Sequence, residues 1–149
     1  MSNFVTVSSW AWAVGLVGLA LAGLTYRYVI SQPSGSDAMR ALSEQIHDGA
    51  MAFLRAEYAM LAIFVALVAG ALAWAVSPET AGAYLIGALC SVTAGFFGMK
   101  SATRANVRTA AAANQEGAGK ALRVAFFGGA VMGLSVAALG LVGIGAIYW

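Results

Sequence analysis

Lys100, Arg104 and Arg108 stand at i, i+4 and i+8 in the second half of the chain. On a helix that spacing makes a single basic ridge, and such a ridge could gather a phosphate-rich anion. It would equally tie a membrane helix to acidic headgroups and fix its orientation, which is the role expected here. His47 lies beside Asp48 and three residues from Glu44. Its imidazole could titrate near neutrality, but the pattern puts it on the polar face of a solvated helix. Glu57, close to Arg55, falls at the inner edge of an apolar run, too shallow for a buried ion site. Hydrolysing a phosphoanhydride with Mg2+ requires several carboxylates converging on the metal. The aspartates are Asp37 and Asp48, both on one exposed helix, and neither a P-loop nor a nucleophile with its base is present. No residue of this chain is therefore expected to be catalytic, cofactor-binding or metal-ligating.

The elements that carry these residues follow from composition. The chain is 61% hydrophobic and 9% charged, with mean hydropathy +0.82, so lipid and not water is its solvent. Its 18 glycines match the small-residue usage that lets helices in lipid approach closely. Cys90, the single cysteine, supports neither a disulfide framework nor a metal cluster. The pI near 8.9 is not accompanied by a basic patch with interleaved aromatics, so nucleic acid is excluded as a partner. No positively charged region precedes the first apolar run, as a cleavable signal peptide would require.

Charge-free stretches run from Phe4 to Tyr26, Tyr58 to Ser77, Thr80 to Met99 and Val124 to Trp149, each close to the ~20 residues a helix needs to cross a bilayer. With their margins the spans are placed at about 4–30, 56–77, 79–100 and 122–148. The connections are about 31–55 and 101–121, and the whole is one membrane segment, 1–149. All eight lysines and arginines fall in the two long polar connections, Arg27 to Glu57 and Lys100 to Arg123. The positive-inside rule puts both in the cytoplasm and leaves the N-terminus, the Pro78 turn and the C-terminus outside. Trp10, Trp12, Trp74 and Trp149 then sit at outer helix ends, and Tyr26, Tyr28 and Tyr58 at the inner face.

The connections read as helical extensions of the spans. After the breaker run Gln32-Pro33-Ser34-Gly35-Ser36, residues Met39, Leu42, Ile46, Phe53 and Leu54 make an apolar stripe opposite Asp37, Arg40, Glu44 and Asp48. The second helix is expected to begin near Asp37. The third is expected to run past Met99 through alanines 110–113 and stop near Gly117 and Gly119. Gly129 and Gly133 form a G-x-x-x-G motif that Gly140, Gly143 and Gly145 extend, so leucine at 129 or 133 is expected to force helices apart. Met51, Met60, Met99 and Met132 read as packing residues. No span carries a charge away from its ends, so the segment is expected to hold no ion site of its own.

Two stretches resemble a known family. "IHDGAMAFLRAEY", Ile46 to Tyr58, and "GFFGMKSATRANVRTAAAA" followed by "GKALRVAFFGGAVMG", Gly95 to Gly133, are similar in wording and order to membrane-integral, ion-translocating inorganic pyrophosphatases. The resemblance covers the chain from about Asp37 onward, whereas the first helix is only generically similar. It implies an all-α polytopic membrane bundle of about sixteen spans. Such a protein hydrolyses pyrophosphate on its cytoplasmic side with Mg2+, with K+ as a further candidate cofactor, and pumps protons or sodium outward as a homodimer. The family's signature, "D-V-G-A-D-L-V-G-K-V-E", belongs to the loop after the fifth span, so no catalytic residue carries over to any position here. The chain closes on Tyr148-Trp149, as a gene fragment would, with the remaining helices of the pump as its partners. The alternative is a self-contained four-helix assembly or regulatory module. A small four-span exporter would want a carboxylate within the membrane.

Overall fold

The computed structural model describes the backbone of residues 2–147 and the side chains of residues 10–147. Four helices account for nearly all of it, and no strand occurs among the described residues: α1 Ser2–Ser31, α2 Asp37–Ala75, α3 Pro78–Gln115 and α4 Ala118–Ile147. All four are long and apolar enough to cross a membrane. Each boundary has a local cause. Pro33 cannot extend α1, because it lacks an N–H. Ser36 then caps α2 by accepting from the Met39 N–H at 3.4 Å. Ser77 caps α3 through the Thr80 N–H at 3.2 Å, with Pro78 in the first turn, where a missing N–H costs nothing. Gly117 reverses the chain between α3 and α4 at φ 87°, a conformation that Cβ-bearing residues resist. Both expected helix limits, Asp37 and the neighbourhood of Gly117, are observed.

The helices form an arc in which α1 packs on α4, α4 on α3 and α3 on α2. A minor contact joins α1 to α3, and α2 touches only α3 among the described residues. Close approach at the centre of the arc depends on small residues. A Cβ at Gly128 would lie 2.5 Å from Ala105 Cβ, and one at Gly15 would lie 2.6 Å from the Ala138 carbonyl oxygen. Ser101, fully buried, donates from α3 to the Gly128 carbonyl at 3.1 Å. One Gly128 peptide thus serves both the steric and the polar contact between α3 and α4.

The glycine reading needs correction. Nothing lies within 4 Å of a Cβ built at Gly129, Gly133 or Gly140, whereas Gly143 and Gly145 do meet neighbours. The motif spacing was sound, but the contact surface is turned by one residue, because α4 has to present Gly128 to Ala105. The α2 stripe also differs from expectation. Of its members only Leu54 is buried, while Leu42, Ile46 and Phe53 are exposed. The face toward α3 carries Ser43, His47, Leu54 and Tyr58 instead, since the alanine-rich α3 surface accepts short polar groups. Tyr58 donates to the Val92 carbonyl at 2.9 Å, above Gly95, where an added Cβ would lie 3.0 Å from the hydroxyl. Met60 is exposed, whereas Met132, although partly open, packs its side chain over Gly98 of α3, 2.7 Å from where a Cβ would stand. Trp74 is exposed at the end of α2, whereas Trp10 and Trp12, also exposed, lie inside α1, with Trp12 against Gly145 of α4; Trp149 lies outside the described residues.

Gly128→Leu is expected to lower the thermal stability of the protein in detergent by about 1–3 kcal/mol, the ordinary range for overpacking. Gly129→Leu and Gly133→Leu should change it far less. Ser101→Ala should cost about 0.6 kcal/mol, the average for a hydrogen bond between membrane helices. Scanning fluorimetry of the four variants checks the order, and equal losses at 128 and 129 would reject this helix rotation.

Candidate functional site

The polar side chains gather at the end of the arc where the α2 and α3 extensions meet the C-terminus of α1. Their geometry starts from α3, whose ridge is split in function. Arg104 Nη1 forms an ion pair with Glu44 Oε1 of α2. Arg108 is half-buried, and its Nε donates to the Ile30 carbonyl of α1 at 3.3 Å while its Nη1 donates to the Arg104 carbonyl at 2.8 Å. A cation at a helix C-terminus meets the unsatisfied carbonyls and the negative end of the dipole. Arg108 therefore holds α1 onto α3, and Arg104 holds α2 onto α3. Among the described residues Lys100 alone of the three makes neither an ion pair nor a side-chain hydrogen bond. Its Nζ lies 5.9 Å from the Phe96 ring centroid, at the mouth of a cleft of about 330 Å³ lined by Leu19, Tyr26, Phe97 and Ser135.

His47 does not stand free in solvent as expected. Its Nδ1 lies 2.8 Å from Thr103 Oγ1. The Thr103 hydroxyl has one hydrogen and directs it to the Met99 and Lys100 carbonyls, at 3.0 and 3.2 Å. That network assigns the Nδ1 proton to His47 as donor, leaving Nε2 free. Position 47 falls on the α3-facing side because it follows Ser43 by four residues and precedes Leu54 by seven. Read against the apolar stripe alone, the same spacing looked polar and exposed. Neither Arg55 nor Glu57 forms an ion pair among the described residues, and both are exposed.

Electrostatics match these contacts. The hydrogen bond from Arg104 holds the Glu44 carboxyl below its ordinary range, with the Arg104 charge adding to it. Burial, helped by the charge of Arg104, pushes Arg108 down from its ordinary value, although a guanidinium stays protonated. Asp37 is paired with Arg40 on the surface. No three acidic, histidine or cysteine side chains gather to hold a metal ion among the described residues, so the carboxylates present do not fit a Mg2+ site. The arrangement braces helices, and two of the three ridge cations are committed to that work.

The family of inorganic H+ pyrophosphatases matches residues 16–149. The chain belongs to this family. Among its pyrophosphatase relatives, a Clostridium tetani protein provisionally named as a K(+)-stimulated pyrophosphate-energized sodium pump is 45% identical over 134 residues, 90% of this chain and 19% of the relative. A K(+)-stimulated pyrophosphate-energized sodium pump of Thermotoga maritima is 40% identical, across 91% of this chain and 19% of its own. A K(+)-insensitive pyrophosphate-energized proton pump of Methanosarcina mazei is 36% identical, across 90% of this chain and 20% of its own. The chain thus spans about a fifth of the length of the curated pyrophosphatases it matches.

Because Glu44 has a lowered pKa when folded, its pair with Arg104 stabilises fully above the ordinary carboxylate pKa of about 4.3 and is lost as pH falls through the folded value. The melting temperature of the unmodified protein should therefore drop more steeply below about pH 5 than that of Glu44→Gln, and parallel curves would remove the pair as a contributor. Arg108→Gln should cost roughly 1 kcal/mol at neutral pH, low for a charge-assisted bond because the guanidinium is partly solvated. Denaturation in detergent measures both effects.

Proposed function

We propose that residues 1–149 form the N-terminal four-span scaffold of a membrane pyrophosphatase that couples pyrophosphate hydrolysis on the cytoplasmic side to outward transport of protons or sodium. The family match across residues 16–149 carries this reading, and relatives named as proton pumps and as sodium pumps support it. In the whole protein Mg2+ would serve as the metal of hydrolysis, with K+ a further candidate, on residues that later helices supply. The scaffold role is supported by the bracing geometry of Arg104 and Arg108 and by spans whose sequence carries no charged residue away from their ends. Coupling hydrolysis to transport needs a relay of such groups within the membrane, and the later helices would provide it. The complete pump would have about sixteen spans and work as a homodimer. Its N-terminus and the Pro78 turn would face outward, with the Arg27–Glu57 and Lys100–Arg123 connections in the cytoplasm, as the placement of basic residues favours.

In a Cys90→Ser background, cysteines at Ser34 and Asn114 should react with an impermeant maleimide only from the cytoplasmic side. Labelling of either from outside would reverse the topology. Residues 1–149 expressed alone should enter the membrane but neither release phosphate from magnesium pyrophosphate nor move ions. The same residues joined to the remaining helices of the Clostridium tetani relative should do both. Phosphate release by the purified chain alone, free of host enzyme, would reject the scaffold reading.

A further inference from the structure

α2 is 39 residues long, about 58 Å at 1.5 Å per residue, against a hydrocarbon layer about 30 Å thick. Roughly half of the helix must therefore stand outside the lipid, and its charges show which half: Asp37, Arg40, Glu44, Asp48, Arg55 and Glu57 all precede Tyr58. Yet one flank of this half, beside the face that meets α3, carries no charge from Leu42 to Phe53. Leu42, Ile46, Gly49 and Phe53 follow one another at spacings of four, three and four residues, and Leu42 and Phe53 remain 59% and 58% exposed.

That alternation does not stop at the lipid boundary. It continues through Ala56, Met60, Ile63 and Leu67 to Gly70 and Trp74, all of them exposed. A repeat averaging 3.5 residues is the seam of a helix wrapped against another long helix. Lipid tails can cover Met60 to Trp74. They cannot reach Leu42, Ile46 and Phe53, which in water would form an apolar strip of the kind that marks a protein contact. Beside Leu42 and Ile46 lies a groove of about 180 Å³ whose other wall is Asn106, Val107 and Ala110 of α3. An incoming helix thus meets walls from both α2 and α3 at this level. The small residues Gly49, Ala56 and Gly70 along the seam would let its backbone come close.

We infer that the outward seam of α2, from Leu42 to Trp74, is the docking line for a second long helix of the same pump polypeptide, contributed from beyond residue 149. The inference rests on the whole-pump reading above. The relatives supply the length: this chain corresponds to only about a fifth of each, so helices to fill the seam exist in the complete proteins. The partner must itself project well beyond the lipid, because the seam does. It must carry apolar residues at the same period and few charges opposite Leu42 to Phe53.

The test uses residues 1–149 joined to the remaining helices of the Clostridium tetani relative. A benzophenone side chain replaces Ile46, Phe53 or, as a control on the charged side, Asp48, and the irradiated product is mapped by mass spectrometry. Adducts from 46 and 53 to a peptide beyond residue 149 within one polypeptide are the expected result. A product of doubled mass would give the seam to a second copy, and no protein adduct at either position would leave it uncovered; both outcomes overturn the inference. Independently, in an otherwise cysteine-free fusion, Leu42→Cys and Phe53→Cys should react with an impermeant maleimide at least about tenfold more slowly than Asp48→Cys, since thiol reactivity follows access. Equal rates would overturn it as well. Neither readout requires turnover, so a protected seam in an inactive fusion would count against the pump reading alone.

Discussion

The difference between helix length and bilayer thickness governs this structure. A slab of about 30 Å accepts roughly 20 helical residues, while α2 and α3 have 39 and 38. Both must emerge, and they emerge on the same side because a tight turn at Pro78 joins them on the other. Inside the slab, backbone groups can be satisfied only within helices, and contact depends on small residues. Outside it, charged side chains become affordable, and there the helices are braced by Arg104, Arg108, His47 and their partners. One chain thus uses two kinds of adhesion, which overlap where α3 leaves the lipid.

α3 stands at the junction of both. Its membrane half offers Gly98 to Met132 of α4 and Gly95 to Tyr58 of α2, and its extension offers Ser101 and Ala105 to Gly128 of α4 and Thr103, Arg104 and Arg108 to α2 and α1. Since α1 and α2 do not pack on each other among the described residues and α2 meets only α3, the packing between them passes through α3. This gives the basic ridge a meaning distinct from anion capture: two of its three cations bond helices to one another.

Much of the fold was legible in the sequence. Apolar runs, the Gln32–Ser36 and Gly117 breaks and the Pro78 turn are one-dimensional signals, and the structure keeps them. Helix azimuth was not legible, because it depends on which partner a helix meets. Gly128 rather than Gly129 faces α3, since Ala105 sits there to receive it. Likewise Ser43 and His47 face inward while Leu42 and Phe53 face out, the reverse of the usual rule that apolar residues turn toward protein. A soluble helix would have been correctly read from its apolar stripe. Here the alanine surface of α3 selects short polar residues, and the larger side chains are left for another neighbour. The His47–Thr103 bond escaped notice because it pairs residues 56 apart with no local motif.

The arc also fixes an order of events during synthesis. α1 finds its main partner in α4, whose first residue, Ala118, follows Ser31 by 87 positions. At ribosomal rates of about 5–20 residues per second, the first helix waits roughly 4–17 s in the membrane before that partner is made. During this interval the glycine face of α1 at Gly15 and Gly18 lies open to lipid or to foreign helices. The α2–α3 hairpin, closed by a turn of two residues, can pair at once. Assembly can therefore proceed from the middle of the segment outward, and before α4 is made α3 already offers α1 the hydrogen bond from Arg108 to the Ile30 carbonyl.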